Sequence, residues 1–181
     1  TPFDWGWFYG DAVFIMDPWL WLTLGLGVWL SRERRSPMPA RVALAIAAVY
    51  IGAMLASASA ARAIVVDAWT EGRGVAPAGA MVGPVAVTPF ERQVIIDAGD
   101  HYETGEFRWL AAPRVVFHPG RVAKNQERED VRRARQVPAF RSFLVWSRFP
   151  FFQLDADPAG TRVSVGAVPF SFGNPLSALP R

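Results

Sequence analysis

The chain changes character near residue 62. From Val42 to Ala61 there are twenty consecutive uncharged residues, opened by Arg41 and closed by Arg62. About twenty apolar residues are what a helix needs to cross a hydrocarbon core ~30 Å thick. Ile64, Val65 and Val66 prolong the apolar pattern, so a transmembrane helix is predicted over about 41–66. An earlier uncharged stretch runs from Pro18 to Leu30. Its helical rise would be only about 20 Å, short of a full crossing. Extension back to Ala12 approaches a full span but takes in Asp17. The pair Asp17-Pro18 instead predicts a helix start, because Asp is a good N-cap and Pro suits the first helical position. The residue before a proline is also biased out of the α region. Residues 8–17 then read as irregular chain, tolerated at membrane depth only where other protein covers it. Either reading gives two crossings within residues 1–69. Ala48, Gly52, Ala56 and Ala60 recur every four residues in the second helix. Such a stripe lets another helix approach closely in lipid, and an alanine-rich composition alone would give the same pattern.

Residues 70–84 are rich in Gly, Ala and Pro without a period, the mark of a linker. From Val85 to Arg181 the signals are those of a small extramembrane α+β domain. Gln93–Asp97 and His101–Trp109 read as a hairpin around Ala98-Gly99-Asp100. Arg114–Phe117 reads as a third strand, ended by His118-Pro119-Gly120. Residues 125–136 are highly charged, with Glu129 four residues before Arg133 as a helical pair. Phe140, Phe143, Leu144 and Trp146 follow at roughly helical spacing. Two last strands, Gln153–Asp155 and Thr161–Val168, flank the turn sequence Asp157-Pro158-Ala159-Gly160.

Charge sets the orientation. The segment between the two apolar stretches holds Arg32, Arg34, Arg35 and Arg41 against Glu33, whereas the first seventeen residues have no Lys or Arg. Short arginine-rich loops stay cytoplasmic, which puts both the N-terminal end and the 85–181 domain on the outer side of the membrane. Trp5, Trp7, Tyr9, Trp19 and Trp21 would then form the outer aromatic belt and Trp29 the inner one. The formal charge of +3 is too small and dispersed for nucleic acid. The chain has no cysteine, hence no disulfide, thiolate metal site or cysteine nucleophile. Thr1 opens in mid-pattern, so a segment preceding it is expected.

Candidate chemistry is acidic. Asp11 and Asp17 stand six residues apart, with Asp4 upstream. An ionisable group at membrane depth is costly and marks a functional hypothesis. Two carboxylates can contribute to a divalent metal site, zinc or manganese, but need imidazoles to complete it. The competing role for Asp17 is the helix cap. His101 and His118 lie far along the chain in turn-like settings and read as ordinary turn or surface residues. Ser57 and Ser59 read as packing residues within a helix. No phosphate-binding glycine loop or nucleophile elbow is present.

Several blocks carry a resemblance. Thr1-Pro2-Phe3-Asp4 with Asp11-Ala12-Val13-Phe14-Ile15-Met16-Asp17-Pro18, then Val87-Thr88-Pro89-Phe90 with Gln93–Asp97, then Val145-Trp146-Ser147-Arg148-Phe149-Pro150 occur in that order. Together they resemble the C-terminal portion of the bacterial membrane-bound metal-dependent hydrolases. The resemblance implies metal ligands, histidines and an aspartate, on transmembrane helices preceding Thr1, with Asp11 and Asp17 as the matching positions here. It implies a metal-activated water attacking an ester, such as that of a lipid or another envelope component. It departs at Gly166-Ala167-Val168-Pro169-Phe170, where the family carries an Asp-x-Arg-like strand. A different class of function, a non-enzymatic envelope protein whose helices anchor a partner-binding domain, fits the same organisation.

Overall fold

The computed structural model describes residue 13, residues 17–157 and residues 160–168. A helical hairpin comes first: α1 (Pro18–Glu33) and α2 (Met38–Arg73). A four-stranded antiparallel sheet follows in the order β1 (Gly79–Pro84), β2 (Glu91–Asp97), β3 (His101–Arg108), β4 (Val115–Ala123). Two short helices, α3 (Glu129–Ala134) and α4 (Pro138–Trp146), lead to a separate hairpin of β5 (Pro150–Asp157) and β6 (Gly160–Ala167).

The start of α1 is where the Asp-Pro pair puts it. Asp17 is extended, and its Oδ1 accepts from the backbone N–H of Trp19 at 3.0 Å and of Leu20 at 3.1 Å. The N-terminus of α2 is satisfied differently. Its own cap, Pro37, has no side-chain hydrogen bond to give, and Ser31 on α1 accepts from Ala40 N–H at 2.9 Å instead. Gly27 lets the hairpin close, since a Cβ there would overlap that of Ala43. Small residues thus set the approach of the two helices, but Ala48, Gly52, Ala56 and Ala60 do not take part. That stripe is exposed, and the buried line of α2 is Ala43, Ala47, Met54, Ala58, Ala61, Val65 and Trp69.

Among the described residues one helix, α2, is long and apolar enough to cross a membrane; α1, with 16 residues, is shorter. Large apolar side chains on both helices are exposed, including Trp21, Leu22, Leu26 and Trp29 on α1 and Leu44, Ile46, Val49 and Leu55 on α2.

The expected linker over 70–84 is a correction. The helix continues to Arg73, where Gly74 takes the left-handed conformation (φ 73°) and donates to Thr70 O. Gly79–Pro84 is then an edge strand, so the sheet domain begins before Val85 and only 74–78 connect. The Gly, Ala and Pro residues misled because an edge strand tolerates them. His118-Pro119-Gly120 likewise does not end β4. The register passes from Glu103 opposite Arg121 to Gly105 opposite Phe117, so the extra residues bulge out of the other edge strand.

One face of the sheet packs on the last four turns of α2. Val94, Ile96, Val82, Ala80 and Phe107 enclose Ala61, Val65 and Trp69, each large side chain contributing roughly 1.5–3 kcal/mol by burial. Residues one step along the strands, Ile95 and Tyr102, face the other way and pack with Phe151 and Val168 of the β5–β6 unit.

Candidate functional site

Polar groups concentrate where the hairpin meets the sheet. Asp17 is buried, and its second carboxylate oxygen accepts from the Tyr50 hydroxyl at 2.9 Å. Asp17 is therefore shown as a helix cap joined to the neighbouring helix. Asp11 lies outside the described residues, as do residues 12 and 14–16 of the connection between the two aspartates. Among the described residues no group of three or more His, Asp or Glu is placed to hold a metal ion. With three hydrogen bonds already on the Asp17 carboxylate, the described residues do not by themselves fit a zinc or manganese site.

Two turns further along α2 sits a side chain that sequence reasoning missed. Arg92, at the start of β2, is 1 % exposed. Its guanidinium donates to Met54 O and to Ser57 Oγ, each at 3.2 Å. Trp109, directly after β3, donates its indole N–H to the same Ser57 Oγ at 2.9 Å. A hydroxyl has two acceptor lone pairs, and here both are used. Ser57 is thus the polar link between helix and sheet rather than a packing residue. The strand alternation held the signal: Arg92, Val94 and Ile96 share one face, so an apolar face necessarily carried an arginine to its end. Trp19 on α1 completes the junction, its indole donating to Val87 O in the β1–β2 connection at 2.9 Å.

The opposite end of the sheet carries a second network. Glu103, 2 % exposed, receives Arg73 at 2.6 Å, Arg121 at 3.3 Å and His101 Nε2 at 3.2 Å. The other imidazole nitrogen lies 2.6 Å from Asp100. That contact with His101 holds the exposed Asp100 carboxyl below its usual range. His101 is therefore no ordinary turn residue. Both ring nitrogens are engaged by neighbouring carboxylates, so His101 steadies Glu103, and it is Arg73 that ties the end of α2 to the sheet through that carboxylate. Nearby, Tyr102 donates to Pro150 O at 3.2 Å, and burial followed by the charge of Asp97 pushes its hydroxyl well above the usual tyrosine value. His118 lies 3.7 Å from Glu106, which pairs with Arg108 at 2.6 Å.

The cleft beside Glu106, Arg108 and His118 holds about 160 Å³, below the ~300 Å³ at which small-molecule pockets begin. A larger groove of about 470 Å³ runs between α1 and α2, lined by Leu26, Leu30, Val42 and Ile46 with Arg34 at its end. No protein-family model, curated protein or solved structure matches the chain.

Proposed function

We propose that this chain is the anchor and outer-face domain of an integral membrane protein, with α1 and α2 crossing an inner membrane and the sheet standing on its outer surface. The observation that carries this is the division of α2. Its first five turns expose Val42, Leu44, Ile46, Val49 and Leu55, while its last turns bury Ala61, Val65 and Trp69 in the sheet. The core helix of a soluble protein would be covered throughout, yet only 22 % of the most apolar 18-residue stretch is buried. Helical rise supports the same division. Met38 to Ser57 and Glu33 to Asp17 span about 28 Å and 24 Å, so both legs reach the polar junction near one hydrocarbon thickness. The groove ending at Arg34 suits an acyl chain. Arg32, Arg34, Arg35 and Arg41 lie at the far end of the hairpin and argue for a cytoplasmic loop. A reporter active only in the periplasm, fused after Arg181, should be active. Activity confined to a cytoplasm-specific reporter there would overturn the orientation.

The resemblance to membrane-bound metal-dependent hydrolases supports a second reading, in which this part serves a metal centre whose remaining ligands lie on helices outside the chain. The exposed stripe of Ala48, Gly52, Ala56 and Ala60 favours it, because it leaves a close-packing face for such helices. Elemental analysis of the full-length protein decides. Stoichiometric zinc or manganese, lost in Asp11→Asn or Asp17→Asn, supports a metal site here. Metal retained equally in both variants removes these residues from it, and no metal in the wild type leaves the anchor.

A further inference from the structure

The membrane-facing end of the sheet carries apolar side chains that the fold leaves uncovered. Leu110, in the β3–β4 connection, is 82 % exposed, and Val87 and Phe90 in the β1–β2 connection are 65 % and 51 % exposed. The two connections are tied together, with Trp109 N–H donating to Phe90 O at 2.9 Å. They are also tied to the hairpin, through Trp19 to Val87 O and through Trp109 to Ser57. Three apolar side chains on two connections are thereby fixed at the level where α1 begins. Val87 is further held at φ 76°, a conformation costly for a β-branched residue and maintained only where the surroundings impose it. Arg114, exposed and stacked over Trp109 at 5.8 Å, adds a cation beside the patch.

We infer that Val87, Phe90 and Leu110 form a second membrane contact, inserted into the outer leaflet beside the hairpin, with Arg114 at the headgroup level. The occupant is lipid because the patch continues the exposed apolar surface of α1 past Trp19 and ends in an aromatic and charged border, Trp109 with Arg114 and the paired Arg108 and Glu91, the arrangement of interfacial anchors. The inference rests on the membrane reading above and adds to it that the sheet leans on the bilayer rather than standing clear.

The absence of native cysteine permits a direct test in the full chain reconstituted into phosphatidylcholine–phosphatidylglycerol vesicles. Single cysteines at Val87→Cys, Phe90→Cys and Leu110→Cys are labelled with a small fluorophore and challenged with bromine-labelled lipid or aqueous iodide. Val49→Cys, exposed in mid-helix, and Val75→Cys, exposed at the far end of the sheet, are the references. The expected result is loss of fluorescence to brominated lipid at 49, 87, 90 and 110, and loss to iodide alone at 75. Quenching by lipid at 49 but by iodide at 87, 90 and 110 overturns the inference and leaves the membrane reading standing. Protection from both quenchers at the three sites also overturns it, because protein then covers the patch. No lipid quenching at 49 removes the membrane reading itself.

Discussion

The Tyr50 hydroxyl reaches across the hairpin to the Asp17 carboxylate at 2.9 Å, so the group that starts one helix is held by the other. Asp17→Ala removes the cap and leaves Tyr50 without that acceptor, and should cost about 1–2 kcal/mol. Tyr50→Phe should cost about 1 kcal/mol, and Asp17→Asn should be near neutral at the cap because Asn caps as well as Asp. Denaturation of the single and double variants in detergent reads the coupling. Strictly additive losses would show that the two groups act separately.

Close approach at Gly27 gives a second prediction. Gly27→Val should destabilise the hairpin by roughly 1–3 kcal/mol by overpacking against Ala43. Gly25→Ala, with nothing near its added methyl, should be neutral or slightly stabilising. Equal behaviour of the two variants in thermal melts would mean that the helices do not meet at Gly27.

Ser57 holds the helix to the sheet. Ser57→Ala takes from Trp109 its indole acceptor and from Arg92 one of its acceptors, and should cost roughly 1–3 kcal/mol, the penalty for leaving buried donors unmatched. Trp109 emission should also shift as the indole loses its partner. An unchanged spectrum and stability would place the indole elsewhere.

Tyr102 supplies a pH dependence. Its folded-state pKa is raised by burial and by Asp97, so the native chain retains a proton that the unfolded chain releases near pH 10. The stabilisation is complete below that pH and is lost as the pH rises through and beyond it. Tyr102→Phe should cost about 1 kcal/mol at neutral pH for the hydrogen bond to Pro150 O. It should also flatten the alkaline loss relative to wild type, as measured by denaturant titration between neutral and alkaline pH. Parallel alkaline losses in the two proteins would exclude Tyr102 as their source.

Local physics made much of this fold legible. The uncharged run of 42–61 needs only composition, the start of α1 needs only the chemistry of Asp17 and Pro18, and the 93–97 and 101–109 hairpin needs only alternation around a Gly-Asp turn. What the sequence could not assign were roles depending on residues distant in the chain. Ser57 becomes a double acceptor because Arg92 and Trp109 arrive 35 and 52 residues later. Glu103 can be buried as a carboxylate because the end of α2 brings Arg73 against it and β4 brings Arg121. The strand at Gly79–Pro84 exists because β2 pairs with it, not because Gly and Pro favour extension. Helix caps, turns and apolar runs are decided by neighbours within a few residues. Edge strands, buried ion pairs and the choice of which small-residue face is covered are decided by what packs against them.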